Sequence, residues 1–294
     1  MKDAGRFDEA TNAFQQARAV LREADDRPAE IGALINLGSA LGDEAHLGVA
    51  SDRQQRFAAA ISAYQEALAI SRQTGDRAAE DAVLTNLGVV LSQAGRLEES
   101  ISASQQALAL SRAANDPGGE AKVLVNLGIA LRHVGRIESA ISASQDAAVI
   151  FRQLGERSSE GNALNSLGLA LRDAGRFEEA LSAHQADLAI CRETGDRHGA
   201  GLALNNTGVA LQKLGRFEEA VSAGQVSVDL CREAGDRSDE ASALGNLGIA
   251  LRQVRRIDEA IRAHEDAVGI YRSFGDQKGE AQALDSIARD RAGR

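Results

Sequence analysis

Few residues in this chain carry the chemistry a reaction needs, and they stand far apart. Cys191 and Cys231 are separated by 40 residues and His184 and His264 by 80, while His133 and His198 lie alone on other segments. Stacked helices sit about 8–10 Å apart, beyond the ~7 Å Cα separation a disulfide spans. The two cysteines therefore read as small buried apolar groups. Histidines at one register position two units apart cannot share a metal ion. Ser102, Ser104, Ser142 and Ser144 have no His and acid placed around them as base and orienter. No HExxH, CxxC, phosphate loop or GxSxG is present. The expectation is a chain that is not an enzyme, with no catalytic residue, no metal and no cofactor.

What recurs is chemistry for binding. Asn36, Asn86, Asn126, Ser166, Asn206 and Asn246 form one series, which Ser286 continues. Three residues further on stand Ser39, Val89, Ile129, Leu169, Val209 and Ile249, and three further still Ser92, Arg132, Arg172, Gln212 and Arg252. Residues at i, i+3 and i+6 share one helix face. Stacked helices would turn these into an amide row, an apolar row and a cationic row. An Asn side chain offers donors and an acceptor to an extended backbone. The apolar row would remove partner side chains from water at about 25 cal/mol per Å². The arginines, with Lys122 and Lys213, would favour acidic residues on the partner. The competing reading makes the Asn row a helix-to-helix contact and the apolar row core.

The elements that hold these rows follow from a repeat. Asn-Leu-Gly begins at residues 36, 86, 126 and 246, with Ser166-Leu167-Gly168 and Asn206-Thr207-Gly208 as variants. From 86 onward the spacing is 40, whereas 36 to 86 is 50, so ten residues are inserted near 43–55. Gly-Arg before an apolar residue keeps the same period at Gly5, Gly95, Gly135, Gly175 and Gly215, but Arg255-Arg256-Ile257 departs from it. A third motif, Gly-Asp-Arg or close to it, falls at Gly75, Gly155, Gly195, Gly235 and Gly275. Apolar stripes such as Leu204, Leu211 and Leu214 predict one helix over 199–214 and another over 216–234. The third-motif glycines read as left-handed helix ends and the Asp that follows four of them as the next N-cap. Six glycines at one mid-helix position (38, 88, 128, 168, 208 and 248) each cost about 1 kcal/mol against Ala, which calls for a neighbouring helix in close approach.

Composition excludes other classes. Lys and Arg total 33 and Asp and Glu 43, a formal charge of −10, which argues against nucleic acid or an anionic membrane as partner. Nine aromatics, none of them Trp, leave no platform for stacking bases. No apolar run approaches the ~18 residues of a membrane span, and MKDAGRFDEA has no signal-peptide core. A cytoplasmic location is expected. The Arg rows, each set among acids, read as solvated salt-bridge ladders.

The pattern resembles the tetratricopeptide repeat. Leu164, Leu167-Gly168, Leu171, Ala180 and His184 fill the places of its motif. The period is 40 rather than 34, and Arg (22, 72, 112, 152, 192, 232 and 272) stands where the family's Pro closes the second helix. This looks like the long-helix subgroup of Pins/LGN-type scaffolds and, more loosely, kinesin light chains. The resemblance implies an all-α, right-handed α-solenoid of about seven antiparallel helix pairs, with the first helices on the concave side. It also implies a scaffold or adaptor whose groove takes an extended peptide. The expected division is a half repeat at 5–27, a repeat with the insertion at 28–77, repeats at 78–117, 118–157, 158–197, 198–237 and 238–277, and a capping helix at 278–294. Family members that clamp a partner's terminal carboxylate use Lys and Asn where this chain has Thr85, Val125, Asn165, Asn205 and Gly245, then Val89 and Ile129, so that clamp is absent.

The ends read differently. Ala288 replaces the mid-helix Gly, and Arg289, Asp290 and Arg291 replace apolar residues, as a solvated cap would. Phe7, Ala10 and Phe14 would lie bare at the other end, which predicts that the array continues upstream. Two further functions are compatible with the sequence. One is a regulatory or sensor module of a larger signalling protein. The other is end-to-end assembly of 279–290 on 6–24 of a second copy, against which the charge of Arg289-Asp290-Arg291 stands.

Overall fold

The computed structural model describes the backbone of residues 2–47 and 50–293 and the side chains of 11–43, 45 and 52–293. Among the described residues the chain is all helix. The helices are α1 (Lys2–Glu23), α2 (Arg27–Leu47), α3 (Ala50–Thr74), α4 (Arg77–Gln93), α5 (Leu97–Ala113), α6 (Pro117–His133) and α7 (Ile137–Leu154). They continue as α8 (Arg157–Asp173), α9 (Phe177–Thr194), α10 (Arg197–Lys213), α11 (Phe217–Ala234), α12 (Arg237–Gln253), α13 (Ile257–Phe274) and α14 (Gln277–Ala292). None is long and apolar enough to cross a membrane. The ten extra residues lengthen two helices, since α2 has 21 residues and α3 has 25 against 17 in α4. Phe7 and Ala10 have side chains outside the described residues, and Gly48 and Val49 lie outside them altogether.

The chain forms two compact units, Met1–Ile150 and Phe151–Arg294, each a stack of helix hairpins packed consecutively. The first unit buries Leu34, Leu37, Ile61, Tyr64, Leu84 and Leu87. The second buries Leu204, Leu211, Val221, Leu244, Leu251 and Ile261. Each such side chain contributes about 1.5–3 kcal/mol of burial.

The turns follow the sequence closely. Asp76, Asp116, Asp196, Asp236 and Asp276 each accept a hydrogen bond from the backbone N–H three residues on, at 2.8–3.0 Å. This satisfies a donor that the helix start leaves unpaired. Gly195 closes α9 at φ 74°, and Gly95, Gly135, Gly175 and Gly215 are left-handed too, at φ 76–80°. Arg255 takes that second place at φ 63°. The left-handed region costs an L residue about 1–2 kcal/mol, and Gly returns about 0.4–1 of that through a looser unfolded chain. Arg255→Gly is therefore expected to stabilise the fold by about 0.5–1 kcal/mol, read as a higher denaturant midpoint with an unchanged slope.

The mid-helix glycines are explained by what faces them. A Cβ on Gly38 would lie 2.7 Å from the Tyr64 ring, on Gly128 2.7 Å from Ser144 Oγ, and on Gly248 2.5 Å from His264 Nε2. At Gly208 the partner position is Gly224, and the nearest atom would be 3.6 Å away.

Between repeats, Arg in the last turn of a second helix reaches a Glu eight residues on, in the next first helix. Arg72–Glu80, Arg112–Glu120 and Arg152–Glu160 are 2.7 Å apart and Arg232–Glu240 2.9 Å. The arginine ends are solvated as expected. The acid ends of two are not, for the side chains of Glu160 and Glu240 are only 2% exposed and take a second Arg, Arg157 or Arg237. Ala200 stands where the acid would face Arg192, so the α9–α10 junction lacks this pair.

The terminal helix also corrects an expectation. Arg289 and Arg291 are exposed, but Asp290 is fully buried. Its carboxylate accepts from His264 Nδ1 at 2.7 Å and from Arg252 Nη1 at 3.4 Å. A charged residue in an apolar register is tolerated here because two cationic or donor groups converge on it.

Candidate interaction surface

Within each unit the first helices of neighbouring repeats touch: α2, α4 and α6 in one, and α8, α10, α12 and α14 in the other. The expected rows lie on these helices. In the first unit Asn36 is exposed, while Asn86, Asn126, Val89, Ile129 and Arg132 are half-buried. An open groove of about 500 Å³ brings Asn86 and Lys122 together with Arg77, Asp81, Thr85 and Asp116. Asp81 is held on one side by the Ser111 hydroxyl, which donates to Oδ2 at 2.6 Å, and its Oδ1 is buried without a partner. Burial, the largest cause, pushes its pKa up.

In the second unit Ser166, Asn206, Asn246, Leu169, Val209, Ile249, Arg172 and Arg252 are all half-buried, and Lys213 is exposed. Asn246 and Ile249 share a groove of about 290 Å³ with Ser242, Gln282 and Ser286. The amide row is cross-linked. Asn206 Nδ2 donates to Asn165 Oδ1 and Asn246 Nδ2 to Asn205 Oδ1, each at 2.9 Å. Gln212 Nε2 donates to the Asn246 carbonyl at 3.0 Å. One amide hydrogen of each Asn thus fixes its rotamer from the neighbouring repeat. The cationic row is divided: Arg252 points to the buried Asp290, whereas among the described residues Arg172 pairs with its neighbour Asp173, at 3.1 Å.

Two buried polar side chains, His184 and Asp187, lie on α9. His184 is fully buried, and neither ring nitrogen has a hydrogen-bond partner. Burial, and next the Arg172 guanidinium, push its pKa down from 6.5 to about 4. Asp187, which accepts the Cys191 thiol at 3.5 Å, is pushed up from 3.8 to about 6 by burial first and by Asp196. The signs oppose. Asp187 contributes stability that is present below 3.8 and lost as pH rises to about 6, because the folded chain holds that proton more tightly. His184 contributes stability that is present above 6.5 and lost as pH falls to about 4. Each amounts to about 3 kcal/mol at full effect. His184→Ser, the residue found at Ser104 and Ser144, is expected to leave stability falling between pH 4 and 6. Asp187→Ala, as at Ala107 and Ala147, is expected to leave it rising over the same range. Urea unfolding at several pH values reads both slopes.

Both cysteines are free and buried, and burial pushes the Cys191 thiol up to about 12 and the Cys231 thiol in the same direction. His198 corrects an expectation, because it does not stand alone: Asp236 and Asp239 of the next repeat face it. The signal was in the sequence, where His198 and Asp239 replace Ala, Gly or Ser in most other repeats. Reading it required knowing that the two positions meet.

No curated protein sequence matches this chain. Among solved structures, BtubC (BKLC) from P. vanneervenii is 19% identical with a TM-score of 0.67, covering 78% of this chain and 92% of that one. A signal-transduction ATPase with a tetratricopeptide repeat sensor from Pyrococcus horikoshii is 15% identical with a TM-score of 0.67, covering 90% of this chain and 42% of that one. A Rap protein complexed with Competence and Sporulation Factor is 15% identical with a TM-score of 0.59, covering 98% and 96%. At these identities the likeness is one of fold. The tetratricopeptide repeat family model matches residues 44–113, 119–193, 159–233 and 199–273. The chain therefore belongs to the tetratricopeptide repeat family, whose arrays serve as protein-interaction scaffolds.

Proposed function

We propose that the chain is an adaptor whose second unit binds an extended segment of a partner protein, rich in acidic and apolar residues, along α8, α10 and α12. The observation that carries this is the half-buried series Leu169, Val209 and Ile249, flanked by cross-linked amides on one side and Arg172 on the other. The ladder from Asn165 and Asn205 holds Asn206 and Asn246 in place, so their remaining amide groups meet a peptide backbone at little further cost in rotamer freedom. Arg172 is the cation best placed for an acidic side chain, since Arg252 is taken up by Asp290.

The same face would serve a sensor as well as an adaptor. The Pyrococcus neighbour carries its array as a sensor, and the Rap neighbour is complexed with Competence and Sporulation Factor. End-to-end assembly is disfavoured by the exposed Arg289 and Arg291 on α14.

Selection of displayed random peptides on the intact chain, followed by fluorescence anisotropy of the winners, tests the reading. The expected winners are rich in acidic and apolar residues. Arg172→Glu is expected to weaken them at least about tenfold, a loss of ~1.4 kcal/mol, and Val209→Lys to abolish binding. Winners that bind Arg172→Glu, Val209→Lys and the intact chain equally would move the site off this face.

A further inference from the structure

We propose that His198, Asp236 and Asp239 form a binding site for a divalent transition ion of the zinc class, which clips together the first helices of two successive repeats. His198 is the second residue of α10, Asp236 is the N-cap of α12 and Asp239 is its third residue. One ligand atom from each lies within 4.8 Å of the others, and all three residues are half-buried. His198 Nδ1 is 4.0 Å from Asp236 Oδ2, and Nε2 is 3.7 Å from Asp239 Oδ2. These separations are too long for hydrogen bonds. Only one of the two ring nitrogens can bind a given ion, and ligand atoms held at about 2.0–2.1 Å in a tetrahedron stand about 3.4 Å apart, so side-chain rotations that draw the set in from within 4.8 Å close it on one ion.

The register of the repeats is independent support. The place of His198 holds Ala78, Gly118, Ser158 and Ser238 elsewhere, with Lys278 in the terminal helix. The place of Asp239 holds Ala79, Gly119, Ser159, Gly199 and Gly279. An imidazole at the first place and a carboxylate at the second occur only in the two successive repeats where they face each other. Asp236 is the ordinary capping residue, and its capping bond prepares it. Oδ1 accepts the Asp239 N–H at 3.0 Å, which fixes the carboxylate and leaves Oδ2 towards His198. A metal ligand gains from such an outer partner.

Charge and donor type select the ion. Two carboxylates outweigh the roughly half charges of the two helix starts. The nearby cations are paired elsewhere, Arg197 with Glu233 and Arg237 with Glu240, both at 2.6 Å. One nitrogen and two oxygens suit Zn²⁺ better than Mg²⁺ or Ca²⁺, which take oxygen ligands. Three protein ligands leave a fourth position open to water or to a donor from a partner.

The test is isothermal titration of the full chain with ZnCl₂, MgCl₂ and CaCl₂, beside thermal unfolding with and without metal. The variants are His198→Ala and Asp239→Ser, residues the array itself uses at these places, and Asp236→Ser, which retains a capping hydroxyl. The expected result is one Zn²⁺ per chain, bound at least about tenfold more tightly than Mg²⁺ or Ca²⁺. Each variant is expected to weaken Zn²⁺ binding by at least about tenfold, a loss usual even for a group one step further from the metal, with the metal-free melting temperature unchanged. Co²⁺ in place of Zn²⁺ is expected to give a visible absorption band that His198→Ala removes. Absence of saturable Zn²⁺ binding, or binding that survives both His198→Ala and Asp239→Ser, overturns the proposal.

Discussion

Asp290→Ala is expected to cost about 3 kcal/mol of stability, the low end for breaking a buried ion pair. Size cannot be the cause, because Ala130, Ala170, Ala210 and Ala250 occupy the same register position and are at most 1% exposed. The loss would come from the partners. His264 is 1% exposed and would keep only the Gly245 carbonyl, 3.2 Å from Nε2. Arg252 is 25% exposed and would recover part of its solvation, which keeps the figure low. A double-mutant cycle separates the pair from the background. His264→Ser alone is also expected to destabilise, but in a chain that already carries it Asp290→Ala should cost much less. Denaturant unfolding followed by circular dichroism supplies the four free energies. Additive losses would show that the buried contact contributes nothing specific.

The second large effect is a reversal of sign between two glycines of identical register. Gly248→Ala would set a Cβ 2.5–2.8 Å from three atoms of the His264 ring. That ring is buried and bonded at both nitrogens, so it cannot swing aside. Overpacking of this kind costs about 1–3 kcal/mol against the ~1 kcal/mol that Ala gains over Gly in a helix, a net loss of up to about 2 kcal/mol. Gly208→Ala meets nothing closer than 3.6 Å. There the helix preference stands alone, and stabilisation of up to about 1 kcal/mol is expected. Thermal unfolding of the two variants checks both signs. Equal shifts would mean that the facing side chain does not decide why Gly recurs.

These contrasts mark what the sequence could and could not reveal. The period, the Asp caps and the left-handed glycines were legible because each is local: a turn is specified by the few residues within it. The close approach at Gly38, Gly128 and Gly248 was legible as a need, but not which side chain met it. Asp290 reads as solvated in the sequence because a charge in an apolar register shows its burial only once its partners are known. Those partners lie 26 and 38 residues away, at His264 and Arg252. His198 reads as standing alone for the same reason, since the carboxylates that face it belong to the next repeat. The amide, apolar and cationic rows were legible as a series. The cross-linking of the amides by Asn165 and Asn205 and the engagement of Arg252 by Asp290 depend on residues brought together only by the fold.

The missing Arg–Glu pair at α9–α10 has a consequence for the way the second unit comes apart. In a stack where each member touches only its neighbours, stability is a sum of local strengths and couplings along one dimension. A coupling weakened at one junction lets the two sides respond separately. Native-state hydrogen exchange is then expected to resolve two groups of amides, with those of the first turn of α10 opening at lower free energy than those of α12, whose start is fastened through Glu240. The replacement of one acid by Ala200 would give the second unit a preferred place to flex.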